Sequence, residues 1–282
     1  MSEATAEDRA LVMGILNVTP DSFSDGGYWF APDRAVDRGL EMIAEGADIV
    51  DVGGESTRPG AAVVPVDEEL KRVLPVIEAL AGHVRVSVDT TKETVAEAAV
   101  AAGATLINDV SASLWPVAAR CRVGWVAMHR VGTPATMQAD PRYDDVVAEV
   151  RDLLAERAAL AAGAGVGEIW IDPGIGFGKT VHHNLELLAG LGALVATGYP
   201  VLVGTSRKGF LGVLAAGPDG VPAPVADRLP GSLATATYAL VRGAGMVRVH
   251  DVAATVQAAL LVGRPADGAG DAGSMLDTEV TT

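Results

Sequence analysis

Residues 11–21 read LVMGILNVTPD, an apolar run followed by an asparagine and a turn. The run has the length and the apolar character of a buried strand in a parallel sheet. The turn after it lacks the GxGxxG pattern that a dinucleotide-binding doubly wound fold places after its first strand. This stretch therefore favours another parallel α/β architecture.

Seven further apolar runs follow along the chain, separated by alanine- and leucine-rich helical patterns. The eight candidate strands are residues 11–16, 48–52, 84–88, 105–107, 125–128, 168–171, 201–203 and 246–249. The candidate helices are residues 34–45, 67–81, 93–102, 116–120, 143–162, 183–196, 228–242 and 253–262. Eight successive βα units are typical of a (β/α)8 barrel. We therefore predict an α/β fold of the TIM barrel type, with one domain over 11–262, an N-terminal tail over 1–10 and a disordered tail over 263–282.

Composition excludes several classes of protein. Of the 282 residues, 49% are hydrophobic and 20% charged, as expected of a chain with a packed core. The formal net charge of −15 disfavours binding to nucleic acid or to an anionic membrane surface. Cys121 is the single cysteine, so neither an intrachain disulfide nor a cysteine metal cage can form. No apolar run reaches the roughly 18 residues of a membrane helix. We predict a cytoplasmic protein.

Polar side chains collect just past the predicted strands, where a barrel of this kind carries its active site. They are Asn17, Glu55, Ser56, Thr57, Arg58, Asp89, Asn108, Asp109, His129, Asp172, Ser206, Arg207, Lys208, Arg248, His250 and Asp251. Helix caps and turns are the commonest use of Asp and Asn at such places, and Asp109 and Asp251 fit that use. Asp89 and Asp172 lie in SVDTTK and WIDPGIGFGKT after different strands, and their joint occurrence favours a function.

These residue types suggest two kinds of ligand group. Asp89, Asn108, Asp172 and Lys208 together offer acceptors and donors that complement the edge of a flat nitrogen heterocycle. A second set supplies positive charge and close backbone approach for a phosphate, namely Arg58, Arg248, His250 and the glycines Gly53, Gly54 and Gly60. A diphosphate beside Asp and Asn side chains also suits Mg²⁺, which needs few protein ligands. Asn17 is the best-placed ligand for it.

Longer segments resemble one known family. They are LNVTPDSFSDGG (16–27), DVGGESTRPGA (51–61), SVDTTK (87–92), INDVSA (107–112), MH (128–129) followed by GTPATMQ (132–138), DPGIGFGKT (172–180), GTSRKGFLG (204–212) and RVHDV (248–252). The chain resembles dihydropteroate synthases from residue 11 to about residue 262. That resemblance implies a homodimeric barrel of folate biosynthesis and a known target of sulfonamides. It implies that 6-hydroxymethyl-7,8-dihydropterin diphosphate joins 4-aminobenzoate, with Mg²⁺ present and diphosphate released.

The resemblance also implies roles for individual residues. Asn17 is implied as the metal ligand. The implied pterin pocket comprises Asp89, Asn108, Asp172 and Lys208, lined by Met128, Phe177 and Gly204. The implied diphosphate contacts are Thr57, Arg248 and His250, and the implied 4-aminobenzoate contacts are Arg58, Pro59 and Phe177. Gly209 departs from a serine found in many members, so a hydroxyl contact to the benzoate carboxylate is missing, although backbone N–H groups of a helix start could replace it. Pro230 replaces a common glutamate.

The residues favour catalysis without a covalent intermediate. No serine or Cys121 has the neighbouring histidine and carboxylate that activate a nucleophile. We assign catalysis to Asp89, Lys208 and Arg58, acting by placement and electrostatics. Two alternatives remain. A methyltransferase that takes a methyl group from a pterin would not need the TRPG and SRK segments, and a non-catalytic pterin-binding paralogue would keep the fold while losing a site residue.

Overall fold

The computed structural model describes residues 9–19, 32–56, 63–132 and 136–263. In those residues eight strands form one parallel sheet in the order β6-β5-β4-β3-β2-β1-β8-β7. The strands are β1 Leu11–Asn17, β2 Ile49–Gly53, β3 Arg85–Asp89, β4 Leu106–Asp109, β5 Gly124–Met128, β6 Ile169–Asp172, β7 Leu202–Val203 and β8 Met246–Val249. A single parallel bridge from Ile171 to Val201 joins β6 to the start of β7. The predicted (β/α)8 barrel is confirmed.

Helices follow the strands around the outside of the barrel. They are α1 Pro32–Ala44, α2 Val66–Leu80, α3 Glu93–Ala101, α4 Trp115–Cys121, α5 Val146–Gly163, α6 Val181–Ala189, α7 Leu191–Val195, α8 Gly209–Leu214, α9 Leu229–Val241 and α10 Val252–Val262, with a 3-10 helix at Val225–Arg228. The largest cluster of buried residues lies between these helices and the sheet.

Local sequence explains where several helices begin and end. The Asp145 carboxylate accepts hydrogen bonds from the first-turn N–H groups of Val147 and Ala148, so α5 begins three residues later than predicted. The predicted helix 183–196 is wrong as one helix, since the structure has α6 and α7 on either side of Gly190. A Cβ at Gly190 would lie 2.8 Å from the side chain of Val147, so α5 packs closely against the junction of α6 and α7.

Side chains that point inward from the strands fill the inside of the barrel in two layers. The lower layer is apolar and consists of Met13, Ile49, Leu106, Val126, Trp170, Leu202 and Met246. Because side chains alternate along a strand, the next residue on the same face is two positions further on. Those positions carry Asp51 after Ile49, Asn108 after Leu106, Asp172 after Trp170 and Arg248 after Met246. The apolar layer therefore supports a polar one at the carboxyl ends of the strands.

The two predicted tails are only partly described. Arg9 and Ala10 are buried, and Arg9 Nη1 donates to Asp48 Oδ2 at 2.6 Å. These two residues therefore pack against the barrel. Residues 1–8 and 264–282 of the predicted tails lie outside the described residues. Among the residues that are described, no helix combines the length and the apolar character needed to cross a membrane.

Candidate active site

The polar layer at the carboxyl ends of the strands brings together the predicted heterocycle-binding residues. Asp89 and Asp172 are the last residues of β3 and β6, and Asn108 lies beside Asp89 in the register of β3 and β4. All three are buried. Lys208 immediately precedes α8, after β7. Four residues that are far apart in the sequence thus lie at one end of the barrel, as predicted.

Arg248 is held between two carboxylates. Its Nε donates to Asp51 Oδ2 at 2.6 Å and its Nη2 donates to Asp89 Oδ2 at 2.7 Å. Burial raises the pKa of Asp89, and the charge of Arg248 opposes that rise. The predicted role of Arg248 as a diphosphate contact remains a prediction. The structure adds that its guanidinium is held by Asp51, which lies in the interior of the barrel.

The sequence interpretation missed Asp51. This residue lies in the middle of β2 and is fully buried, with the Nδ2 group of Asn108 donating to its Oδ2 at 2.9 Å. A signal was present in the sequence, because Asp51 is a charged residue inside an apolar run and alternation puts it on the same face as Ile49, which lies in the barrel interior. Asp51 lies within a strand, whereas the predicted site residues lie at strand ends.

The loop after β6 forms one wall of the site. Its glycines Gly174, Gly176 and Gly178 all have positive φ, which favours glycine. A Cβ at Gly174 would lie 1.9 Å from the carbonyl oxygen of His129, so no other residue fits there. The N–H of Gly174 donates to Asp172 Oδ1 at 2.7 Å and orients that carboxylate.

Phe177, which belongs to this loop, contacts Lys208. The Lys208 Nζ lies 3.9 Å from the centre of the Phe177 ring, a cation–π contact. Phe177 also packs in a small apolar cluster with Val110, Met128 and Met137, as expected if Met128 and Phe177 line a pocket. Gly204, the remaining predicted lining residue, lies against Arg248, whose Cβ is 3.8 Å from where a Cβ of residue 204 would be.

Burial shifts the pKa values of two residues in this part of the site, Asp172 and Lys208. Burial raises the pKa of Asp172 to about 6, against the opposing effect of the Gly174 hydrogen bond and the Lys208 charge. Burial together with the Arg248 charge lowers the pKa of Lys208 to about 8. Near pH 7 the site therefore holds a carboxylate and an ammonium whose ionisation responds to modest changes of pH.

A second residue that the sequence interpretation missed is Lys179. It is buried, and its Nζ contacts His129 Nδ1 at 2.9 Å and the carbonyl oxygens of Gly174 and Phe177 at 3.1 Å. Burial and this lysine lower the pKa of His129 to about 3, so the imidazole is neutral and can accept from Nζ. Lys179 thereby fixes the glycine-rich loop that carries Phe177.

His250 differs from the sequence expectation in its charge. Its Nδ1 lies 3.0 Å from the hydroxyl oxygen of Ser206, so the expectation that no serine has a neighbouring histidine is wrong. The nearby Asp251 carboxylate binds Arg207 rather than this imidazole. Burial, with the nearby charges of Arg207 and Arg248, lowers the pKa of His250 to about 3. The expected positive charge at His250 is therefore absent near pH 7, and the side chain offers a neutral imidazole to an anion instead.

The departures at Gly209 and Pro230 fall at helix starts. α8 begins at Gly209, where backbone N–H groups lack partners within the helix, and open space surrounds the position of a Cβ there. Pro230 lies in the first turn of α9, where a missing N–H costs no helical hydrogen bond. Neither substitution disturbs the barrel.

Three predicted residues, Thr57, Arg58 and Pro59, lie outside the described residues. The chain leading to them is held by α2. Arg72 Nη1 donates to the carbonyl oxygen of Gly54 at 2.9 Å, and Lys92 binds the carboxylates of both Glu55 and Glu69. Gly54 and Glu55, which lie just before the part of the chain that is not described, are therefore held in place by these contacts.

The predicted metal ligand, Asn17, ends β1 and pairs with Gly53 in the register of β1 and β2. In the described part of the chain, no group of three His, Cys, Asp or Glu side chains could hold a metal ion. An amide oxygen at a diphosphate site fits Mg²⁺ only if diphosphate and water supply most of the coordination, which is the usual arrangement for this ion.

Comparisons with known proteins agree with this geometry. Residues 13–250 match the family model of pterin binding enzymes. The dihydropteroate synthase of Mycobacterium leprae is 51% identical over 261 residues, covering 89% of this chain and 92% of that protein. The chain belongs to the dihydropteroate synthase family. Within that family, the Xanthomonas albilineans enzyme has been solved with 4-aminobenzoic acid; its TM-score is 0.82 at 50% identity, covering 90% of this chain and 92% of that one.

A second structure of the Xanthomonas albilineans dihydropteroate synthase is in complex with 7,8-dihydropteroate. It has a TM-score of 0.79 at 47% identity, and the match covers 92% of this chain and 94% of that one. Similarity over nine-tenths of both chains extends across the whole barrel, including the strand ends described above.

Proposed function

We propose that this chain is a transferase that condenses 6-hydroxymethyl-7,8-dihydropterin diphosphate with 4-aminobenzoate, giving 7,8-dihydropteroate and diphosphate in folate biosynthesis. The observation that carries this proposal is the buried polar layer of Asp89, Asn108, Asp172 and Lys208 beside an apolar wall, in a member of the dihydropteroate synthase family. A pterin is flat, with an edge rich in N–H groups and a carbonyl, and this layer complements it.

Asp172 and Lys208 divide the recognition of the pterin. A carboxylate accepts two hydrogen bonds, so Asp172 suits the amino group and the adjacent ring N–H of the pterin. The Lys208 ammonium suits the pterin carbonyl oxygen, and its cation–π contact places it over Phe177. The pterin would therefore lie between the loop after β6 and the start of α8.

The reaction breaks the bond between the exocyclic carbon of the pterin and the diphosphate oxygen, and the amine of 4-aminobenzoate forms the new C–N bond and loses a proton. Positive charge that develops on the pterin as the diphosphate departs is stabilised by Asp89 and Asp172. Arg248 offsets the negative charge of the leaving diphosphate, and neutral His250 can donate a hydrogen bond to it. We propose that Arg58, with Pro59 and Phe177, receives the benzoate.

We propose Mg²⁺ as the cofactor, held by Asn17 together with the diphosphate. When bound, the ion would supply charge neutralisation to the diphosphate oxygens. Asn17 fits this role because its amide oxygen is a hard ligand at the mouth of β1, and Thr57 is proposed as a further contact to the same diphosphate.

The reaction is tested by mixing the chain with the pterin diphosphate, 4-aminobenzoate and Mg²⁺ and measuring diphosphate release. We expect release that requires 4-aminobenzoate and is abolished in Lys208→Ala, with the melting temperature of the variant close to that of the wild type. Pterin binding without turnover would indicate a non-catalytic paralogue. Activity of Lys208→Ala within a few-fold of the wild type would refute the role of this lysine.

We further propose a homodimer formed through α9 and α10. These adjacent helices expose large apolar side chains, with Val241 66% and Leu261 90% accessible and Tyr238 and Leu260 also exposed. Sedimentation of the wild type and of a Leu261→Lys variant tests this, since a charge placed in this apolar surface should shift the mass toward a monomer, and an unchanged mass would contradict the proposed interface.

We also propose a cytoplasmic location. Cys121 is the single cysteine of the chain and is a free thiol, which is compatible with a reducing compartment.

A further inference from the structure

A carboxylate lies beneath the proposed pterin pocket, in the interior of the barrel. We propose that Asp51 is a positioning residue that fixes the hydrogen-bonding direction of Asn108 and keeps Arg248 in place when the pterin binds. The inference rests on the proposed pterin-binding function and assigns a task to a residue that has no direct part in it.

The location of Asp51 calls for an explanation. It is fully buried in the middle of β2, and its register neighbour on β3 is Ser87. A buried carboxylate is costly unless it is paired and hydrogen-bonded. Its two partners come from other strands of the barrel, Asn108 from β4 and Arg248 from β8, and both donate to the same oxygen, Oδ2.

The contact to Asn108 decides which end of that amide is offered to a ligand. A carboxylate oxygen can only accept a hydrogen bond, so the Nδ2 group of Asn108 must turn toward Asp51. The Oδ1 atom of Asn108 is then an acceptor, and it is buried with no partner among the described residues. A ring N–H or amino group of the pterin would satisfy it. Without Asp51 the amide could rotate and present donors there instead.

The contact to Arg248 provides an anchor that ligand binding does not remove. Arg248 also binds Asp89, a residue proposed to hydrogen-bond the pterin. When the pterin competes for the Asp89 carboxylate, the bond from Nε to Asp51 still holds the guanidinium at its place. Arg248 therefore stays available for the diphosphate, and one buried carboxylate serves both halves of the substrate.

The test uses Asp51→Asn, which keeps the size of the side chain and removes its charge, and 6-hydroxymethylpterin, which cannot react because it lacks the leaving group. We expect calorimetry to show at least a tenfold loss of affinity for 6-hydroxymethylpterin. The KM for 4-aminobenzoate, measured with the full substrates, should change less than twofold. Asp51→Ser, which retains a small acceptor, replaces Asp51→Asn if that variant does not fold.

Two controls separate positioning from a structural effect. Ser87→Ala removes a buried hydroxyl at the same register, and we expect the affinity for 6-hydroxymethylpterin to be unchanged. In an Asn108→Ala background, Asp51→Asn should cost at most a further threefold, because the amide that it orients is gone.

Three results would overturn the inference. They are an unchanged affinity in Asp51→Asn, a full additional loss in the Asn108→Ala background, or an equal rise in the KM for 4-aminobenzoate. If the wild type itself does not bind 6-hydroxymethylpterin, the proposed function fails as well, and the Ser87→Ala and wild-type titrations reveal that case directly.

Discussion

Asp172 is the residue whose substitution best separates the two proposed substrates. In Asp172→Asn one acceptor of the carboxylate becomes a donor, which leaves a buried N–H group of the pterin unpaired at a cost of about 1 to 3 kcal/mol. We expect calorimetry to show a loss of pterin affinity of that size and little change in the affinity for 4-aminobenzoate. Unchanged pterin binding would remove Asp172 from the pocket.

The shifted pKa values of three residues predict a bell-shaped pH dependence. Burial raises the pKa of Asp172 to about 6 and that of Asp89 to about 7, so at lower pH each keeps its proton and loses part of its capacity to accept pterin hydrogen bonds. Lys208, with its pKa lowered to about 8, loses its proton above that pH and with it the charge that binds the carbonyl. The affinity for 6-hydroxymethylpterin should therefore rise as the pH passes from about 6 to about 7, and fall beyond about 8.

Asp172→Asn provides the control for this profile. The variant has no carboxylate to titrate at this position, so its acidic limb should become shallower and reflect only the proton on Asp89, while the limb above pH 8 remains. Titrations at intervals from pH 5 to pH 9 would measure both limbs. A profile in the wild type that is flat over this range would show that none of these groups governs binding.

At the scale of elements, one lysine joins β2, α2 and the turn between β3 and α3. Lys92 binds Glu55 and Glu69, and Glu69, which is fully buried, also accepts from Thr90 Oγ1 at 2.7 Å. Lys92→Met leaves the Glu69 charge without its cation. We expect the free energy of unfolding at pH 7, measured with urea, to fall by about 1 to 3 kcal/mol.

A matched control lies on the surface of the neighbouring helices. Arg120 also bridges two glutamates, Glu93 and Glu97, but all three side chains are exposed. Exposed ion pairs contribute little because water and salt screen them. Arg120→Met should therefore leave the urea midpoint nearly unchanged, and equal effects of the two substitutions would contradict the special role of burial at Glu69.

At the scale of the whole molecule, we predict ordered binding of the substrates. Two glycine-bearing segments follow β1 and β2, residues 20–31 and 57–62, and both lie outside the described residues. We expect diphosphate with Mg²⁺ to draw in Arg58 and complete the site for 4-aminobenzoate. The affinity for 4-aminobenzoate should rise at least about tenfold when both are present, and diphosphate affinity should rise by the same factor with 4-aminobenzoate.

Titrations with Mg²⁺ alone, with diphosphate alone and with both together measure this coupling. Only the combination should tighten 4-aminobenzoate binding. Equal affinities in all conditions would show a site that is already complete in the free protein, and random order of binding would follow.

Local patterns in the sequence were enough to predict the barrel and the side of the barrel that carries the candidate site. Each of the eight βα units shows a local pattern of apolar and polar residues, because strands and helices each have their own periodicity. Asp89, Asn108, Asp172 and Lys208 could be predicted for the same reason, because each follows an apolar run and parallel strands all end at one side. The exact break at Gly190 could not, since it depends on contact with Val147.

The interactions among these groups depend on contacts between distant strands. Asp51 and Arg248 are 197 residues apart in sequence, and their ion pair exists because β2 and β8 both pair with β1 and lie on either side of it. The neutral state of His250 and the lowered pKa of Lys208 likewise arise from burial. Distance between strands and removal from water are properties of the folded chain, and they set charge and hydrogen-bonding direction in ways that no local stretch of sequence records.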